Sequence, residues 1–218
     1  MKKHIVCFGD SNTHGYTSDP TDCADGGNRF NEAERWPMLL QQKLGEDYLV
    51  IEEGLNSRTT CFEDPLGEGL SAIPYISPCL RTHASVDLLI IMLGTNDCKE
   101  RFAVSASCIA QGMGRLVKKA MDTECWGVQG PNILVLCPPP MPEGVYQGIF
   151  ADSMGPGSAE KSRRLAECYK AQCDMLGCHF ADAGGFGCEF NEIDYMHLTK
   201  KGHARLAEKL ARLVPELV

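Results

Sequence analysis

Five apolar runs, each bounded by turn signals, recur along the chain: "HIVCF" (4–8), "YLVIEE" (48–53), "VDLLIIML" (86–93), "NILVLCPP" (132–139) and "CHFADA" (178–183). The middle runs are nearly continuous in Val, Ile and Leu, the pattern of parallel strands covered on both faces. Helical periodicity alternates with them. Trp36-Pro37 opens one helix, with Pro at the first helical position and Leu39, Leu40 and Leu44 following, and Gly45 stops it. Further helices are expected near 73–83, 104–121, 158–176 and 199–213, the last with Thr199 as N-cap and Leu206, Leu210 and Leu213 on one face.

Five strands alternating with five helices specify an α/β fold: a three-layer α/β/α sandwich, flavodoxin-like, around a five-stranded, mostly parallel sheet. Right-handed crossovers then put ligands at the carboxyl ends of the strands. No repeat, low-complexity tract or linker interrupts the pattern, so residues 1–218 read as one domain. Two long irregular connections, 17–35 and 138–157, follow strand ends and are expected to wall a site, because long loops in compact domains are usually functional. They also make a homo-oligomer the expected assembly.

Composition narrows the classes. Hydrophobic residues at 44% and charged residues at 23% describe a globular chain. A net charge of −8 argues against nucleic acid, which needs a basic footprint. The "MKKHIVCFGD" start is positive, but its apolar stretch is too short for a signal peptide. "LLIIML" falls far below the ~18 residues of a membrane span. A cytoplasmic protein is expected. The twelve cysteines contain no C-x-x-C pair, and Cys7, Cys79, Cys108 and Cys137 stand where small apolar residues would. Reduced, buried thiols are expected, with no metal and no cofactor.

Candidate chemistry collects on one rim. "GDSN" (9–12), "GLNSRTT" (54–60), "GTND" (94–97) and "DYMH" (194–197) each follow a strand. Together they supply what acyl transfer needs. Ser11 on a tight turn offers a hydroxyl, His197 can take its proton, and Asp194 can fix the imidazole tautomer. Oxyanion donors are available from the Ser11 N–H, a backbone N–H of the second loop and the Asn96 amide. The G-x-S-x-G elbow is absent.

These blocks, in this order, resemble the SGNH (GDSL-type) hydrolases, and "EEGLNSRTT", "IIMLGTND" and "CPPPMP" look like the bacterial arylesterase/acyltransferase branch. The resemblance implies a Ser11–His197–Asp194 triad, no metal, and hydrolysis or transfer of acyl groups from small-molecule esters. It also implies that Ser57 supplies the second oxyanion N–H from a position where the family usually has glycine. A serine there is expected to donate from a backbone without positive φ, with Gly54 as the turn residue.

Asp10 and Asn12 are expected to hold the nucleophile turn; Asn12, Tyr16 and Phe150 are the candidate substrate-binding residues, with Met141 and Tyr146 as further pocket candidates. His14 is a weaker alternative base. Arg58 reads as a structural donor rather than a carboxylate binder, and His203 as a helix-surface residue. Competing functions are a carbohydrate O-deacetylase on the same residues, a flavodoxin-like binding protein with "GDSNTHG" as a phosphate loop, and a hydrolase relative that has lost catalysis.

Overall fold

The computed structural model describes all 218 residues. Its strands are β1 (Lys3–Gly9), β2 (Tyr48–Gly54), β3 (Leu88–Met92), β4 (Ile133–Cys137) and β5 (His179–Asp182). They lie in the order β2-β1-β3-β4-β5, and every pairing is parallel. This is the flavodoxin-like strand order. No antiparallel edge strand joins the sheet.

Alternation along the strands shows why apolar runs were the right signal. Val6, Phe8, Leu89, Ile91, Ile133 and Val135 enter one core, whereas Ile5, Cys7, Leu88, Ile90, Leu134 and Leu136 enter the other. Both faces are dry, so both parities must be apolar. Helices α2 (Trp36–Leu44) and α7 (Lys200–Leu213) cover one face. Helices α3 (Ala72–Thr82), α4 (Ala106–Met121) and α6 (Ser158–Leu176) cover the other. Two single-turn helices, α1 (Ser11–His14) and α5 (Ala151–Met154), were not legible as periodic segments. No helix is long and apolar enough to cross a membrane.

The register positions the rim. Gly9 at the end of β1 stands level with Gly54 of β2 on one side and Met92 of β3 on the other. The chain passes from β1 to β2, then crosses to β3 on β1's opposite side, so β1 ends at the topological switch point. Three of the four polar blocks therefore start side by side. A side chain at Gly54 would put its Cβ 2.2 Å from the His14 backbone nitrogen. Gly54 is thus required for the close approach of α1, not for a turn.

Three expectations are corrected by the packing. His203 is fully buried under α2, where its Nδ1 accepts the Trp36 N–H at 3.2 Å. It belongs to the same stripe as Leu206, Ala207 and Leu210, three, four and seven residues on. Cys108 is exposed, because it falls out of phase with Ile109, Ala110, Met113 and Leu116 on the buried face of α4. All twelve cysteines are free thiols. Segment 17–35 lines no part of the cavity described below. It packs behind the rim through Glu34, which accepts the Ala24 and Asn31 N–H groups and the Lys200 ammonium.

Burial, reinforced by the coulombic effects of His197 and of the Arg35 guanidinium, lowers the His203 pKa to about 3. An unfolded chain returns it to its ordinary value near ~6.5. The neutral ring stabilises the fold fully above that value, and the stability is lost as pH falls toward the folded value. At pH 5 the loss is expected to be about 2 kcal/mol. Urea unfolding of wild type and His203→Gln between pH 5 and 7.5 checks this: the variant should show a flatter pH slope, and equal slopes would exclude His203 as the source.

Candidate active site

Residue Asp10 follows β1 and caps α1, its Oδ1 accepting the Asn12 N–H at 3.0 Å. That cap places Ser11 at the first position of the turn, with its N–H free of any acceptor in the chain. Gly9 lets the turn close tightly, since a Cβ there would lie 2.0 Å from Thr13 Oγ1. The carboxylate of Asp10 occupies the helix N-terminus that a phosphate would need, which removes the phosphate-loop alternative.

From the fourth block, His197 Nε2 lies 2.8 Å from Ser11 Oγ, and its Nδ1 lies 2.8 Å from Asp194 Oδ2. The second Asp194 oxygen accepts the backbone N–H groups of Met196 and His197, each at 2.8 Å, and the Asn191 amide at 3.3 Å. Burial alone would raise the Asp194 pKa, but the hydrogen bond and charge of His197 overcome it and hold the carboxyl at about 2. Such a chain fixes the imidazole with Nδ1 toward the carboxylate and Nε2 toward the hydroxyl. His14 takes no part: burial lowers its basicity, and it does not border the cavity.

The second and third blocks meet beside this chain. Asn96 donates through Nδ2 to the Arg58 carbonyl at 3.1 Å, which leaves its other amide hydrogen free. Asp97 accepts both the N–H and the hydroxyl of Thr60, tying the two loops together. Burial pushes Asp97 up to about 6 against those hydrogen bonds. Arg58 is structural, as expected: its guanidinium lies 4.1 Å from the Phe8 ring centroid and donates to the carbonyls of Gly9 and Glu53.

Ser57 departs from expectation. Its φ is +65°, the left-handed region, rather than the ordinary backbone foreseen for a serine. A side chain there costs about 1–2 kcal/mol, so the position keeps the conformation that glycine adopts freely. The Ser57 N–H has no acceptor in the chain.

Ser11, Ser57, Asn96 and His197 border one cavity of about 270 Å³. Tyr16 and Phe150 wall it and set their rings edge-on to His197, with centroids 4.6 and 6.1 Å away. Lys99 and Arg101, which sequence reasoning passed over, also line it. Asn12 does not. Its Nδ2 donates to the Met196 carbonyl at 3.0 Å and its Oδ1 accepts the Leu198 N–H at 2.9 Å. The substrate role foreseen for Asn12 is therefore replaced by that of a brace on both neighbours of His197. Met141 is buried core, and Tyr146 bonds the Ala159 N–H, so neither lines the cavity.

Removing the brace leaves a buried carbonyl and a buried N–H unpaired, at about 1–3 kcal/mol each. Asn12→Ala is expected to melt several degrees lower and to turn over ester at least tenfold more slowly, through a displaced His197. Asn12→Asp, which keeps the acceptor for Leu198, should fall between. Melting curves and kcat on one ester decide it; an Asn12→Ala enzyme with wild-type kcat would remove the positioning role.

The family model described as GDSL-like lipase/acylhydrolase matches residues 7–205. Comparison with curated proteins gives no match. Among solved structures, the aryl esterase of M. smegmatis is 36% identical, with a TM-score of 0.85 over 99% of this chain and 100% of that one. Est24, a carbohydrate acetylesterase from Sinorhizobium meliloti, is 34% identical, with a TM-score of 0.85 over 100% of both chains.

Proposed function

Because the chain belongs to the GDSL-like lipase/acylhydrolase family and is a carboxylic ester hydrolase, we propose that it cleaves small esters through an acyl-enzyme on Ser11. One observation carries this reading: the unbroken Ser11–His197–Asp194 chain, 2.8 Å at each link, opening on the cavity.

In the reaction, Ser11 Oγ attacks the ester carbonyl carbon while His197 Nε2 takes the hydroxyl proton. The carbonyl oxygen becomes anionic and is met by the free N–H groups of Ser11 and Ser57 and the free amide hydrogen of Asn96. Collapse breaks the bond to the alcohol oxygen, which leaves with the proton from His197. Water then attacks the acyl-Ser11 carbonyl, giving its proton to His197, and Ser11 departs with that proton as the acid is released. Asp194 stays ionised throughout this cycle, consistent with its low pKa. Transfer to an alcohol differs only in the second nucleophile.

A cavity of about 270 Å³ has room for a small ester. A carbohydrate O-deacetylase is the second reading, favoured by the likeness to a carbohydrate acetylesterase. Kinetics with p-nitrophenyl esters of graded length beside acetylated xylo-oligosaccharides separate the two. The long loops favour self-association, which sedimentation velocity reads as a mass above that of one chain.

An organophosphonate should label Ser11 alone, and Ser11→Ala should lose nearly all turnover while keeping its fold. Label on Ser57 or on a cysteine, with Ser11 free, would sink the assignment. Asp194→Asn should lower kcat by orders of magnitude, since the tautomer and the counter-charge are both lost.

The oxyanion donors divide into side chain and backbone. Asn96→Ala is expected to lower kcat by ~10²–10³ with KM little changed. Ser57→Ala retains the N–H and a similar left-handed cost, so its loss should stay under about tenfold. Measuring kcat beside melting temperature for both variants tests the division. A crippled Ser57→Ala, or a fully active Asn96→Ala, reverses it.

A further inference from the structure

The charges facing the cavity have the opposite sign to the chain as a whole. The protein carries a net charge of −8, yet Lys99 and Arg101 border the cavity and no carboxylate does. The two cations are not equivalent. Arg101 is engaged, with Nε and Nη2 donating to the two Asp64 oxygens at 3.1 and 2.7 Å and Nη1 to Ser153. Lys99 is only 5% exposed, but its ammonium has no hydrogen-bond acceptor and no carboxylate within 4.0 Å.

The stem of Lys99 is buried while its ammonium nitrogen keeps some accessible surface, so it lacks a protein partner without being sealed from solvent. Lysines this little exposed are normally paired, because desolvation disfavours the charged form. The nearby carboxylates feel the Lys99 charge at longer range but have closer partners. Asp10 accepts from Asn12, Asp64 from Arg101 and Asp97 from Thr60. Burial and Arg101 lower the Lys99 pKa, while Asp64, Asp10 and Asp97 oppose the shift. Lys99 thus brings an ammonium without a protein partner to the lining of the cavity that also holds Ser11.

We propose that Lys99 forms an anion subsite and that the substrates of this esterase carry a carboxylate, bound to Lys99 while the ester lies at Ser11. This rests on the esterase reading above. A negatively charged group supplies the partner that the fold withholds, and a charge-assisted hydrogen bond is the strong kind. Arg101, already paired, gives the subsite a positive wall beside Ser153 and Met154. The carboxylate can belong to the acyl group or to the departing alcohol, and both present the same chemistry to Lys99.

Two substrate pairs distinguish these sources. The acyl pair is p-nitrophenyl hydrogen adipate and its uncharged carboxamide analogue. The leaving-group pair is 3-acetoxybenzoate and 3-acetoxybenzamide. In at least one pair, wild type is expected to show a kcat/KM for the carboxylate at least ten times that for the carboxamide, falling as salt rises. Lys99→Met should bring the ratio to one or below, and Lys99→Arg should restore part of it. Adipate should also inhibit wild type competitively where adipamide does not, a measurement that stands even if Lys99→Met fails to fold. A wild-type ratio near one in both pairs, or a ratio unchanged in Lys99→Met, overturns the subsite. Turnover of neutral p-nitrophenyl acetate without any preference overturns the subsite alone, whereas no turnover of any ester overturns the esterase reading with it.

Discussion

The candidate site depends on one side-chain amide. Strand β5 lies three positions from β1 in the sheet, so the segment that carries His197 must return across β4 and β3 to reach Ser11. Asn12, one residue after the nucleophile, receives it by donating to the Met196 carbonyl and accepting the Leu198 N–H. Asp194 grips the same backbone from the other side through the Met196 and His197 N–H groups. With the backbone on both sides of His197 held, its ring has little freedom beyond the line between Ser11 and Asp194. A carboxylate at position 12 could not make both bonds, and an aliphatic residue could make neither.

Three buried aspartates show how the same desolvation is resolved differently. Burial dominates at Asp10 and Asp97 and pushes each up to about 6, despite the hydrogen bonds they accept. At Asp194 burial acts in the same direction, yet the partner imidazole and the hydrogen bonds from the adjoining backbone hold it at about 2. The first two act as ties, one capping the nucleophile turn and one joining the second and third loops. The third faces a group that gains a proton during the proposed reaction, and its charge is kept for that moment.

Much of this was legible in the sequence, for identifiable reasons. Strands covered on both faces have no polar parity, so the five runs stood out and their ends fell within a few residues of the observed ones. Polar blocks after strands converge on one rim of a doubly wound sheet, so the order of the blocks alone groups Ser11, Asn96, Asp194 and His197. His203 was misplaced although its spacing to Leu206 and Leu210 carried the signal, because a histidine among lysines reads as solvated. The resemblance to a glycine position could have indicated the left-handed backbone at Ser57. Asn12 and Lys99 offered no such clue. Whether an amide spans 186 residues, or a largely buried lysine is left without a partner, is decided by tertiary packing and by no local pattern.

Folded chains pair nearly all of their buried polar groups, so the groups left unpaired beside a cavity mark where a ligand completes the structure. Here they include the N–H groups of Ser11 and Ser57, one amide hydrogen of Asn96 and the ammonium of Lys99. All are donors, and all border the same space. Neighbouring groups with similar chemistry have been taken out of use by the fold: Arg58 by carbonyls, Arg101 by Asp64, Asn12 by the histidine segment. A cavity lined by spare donors and bare of carboxylates suits a reaction in which oxygen becomes anionic. It also selects against molecules that bring only further donors, so the same arrangement that would lower the barrier would restrict which ester enters.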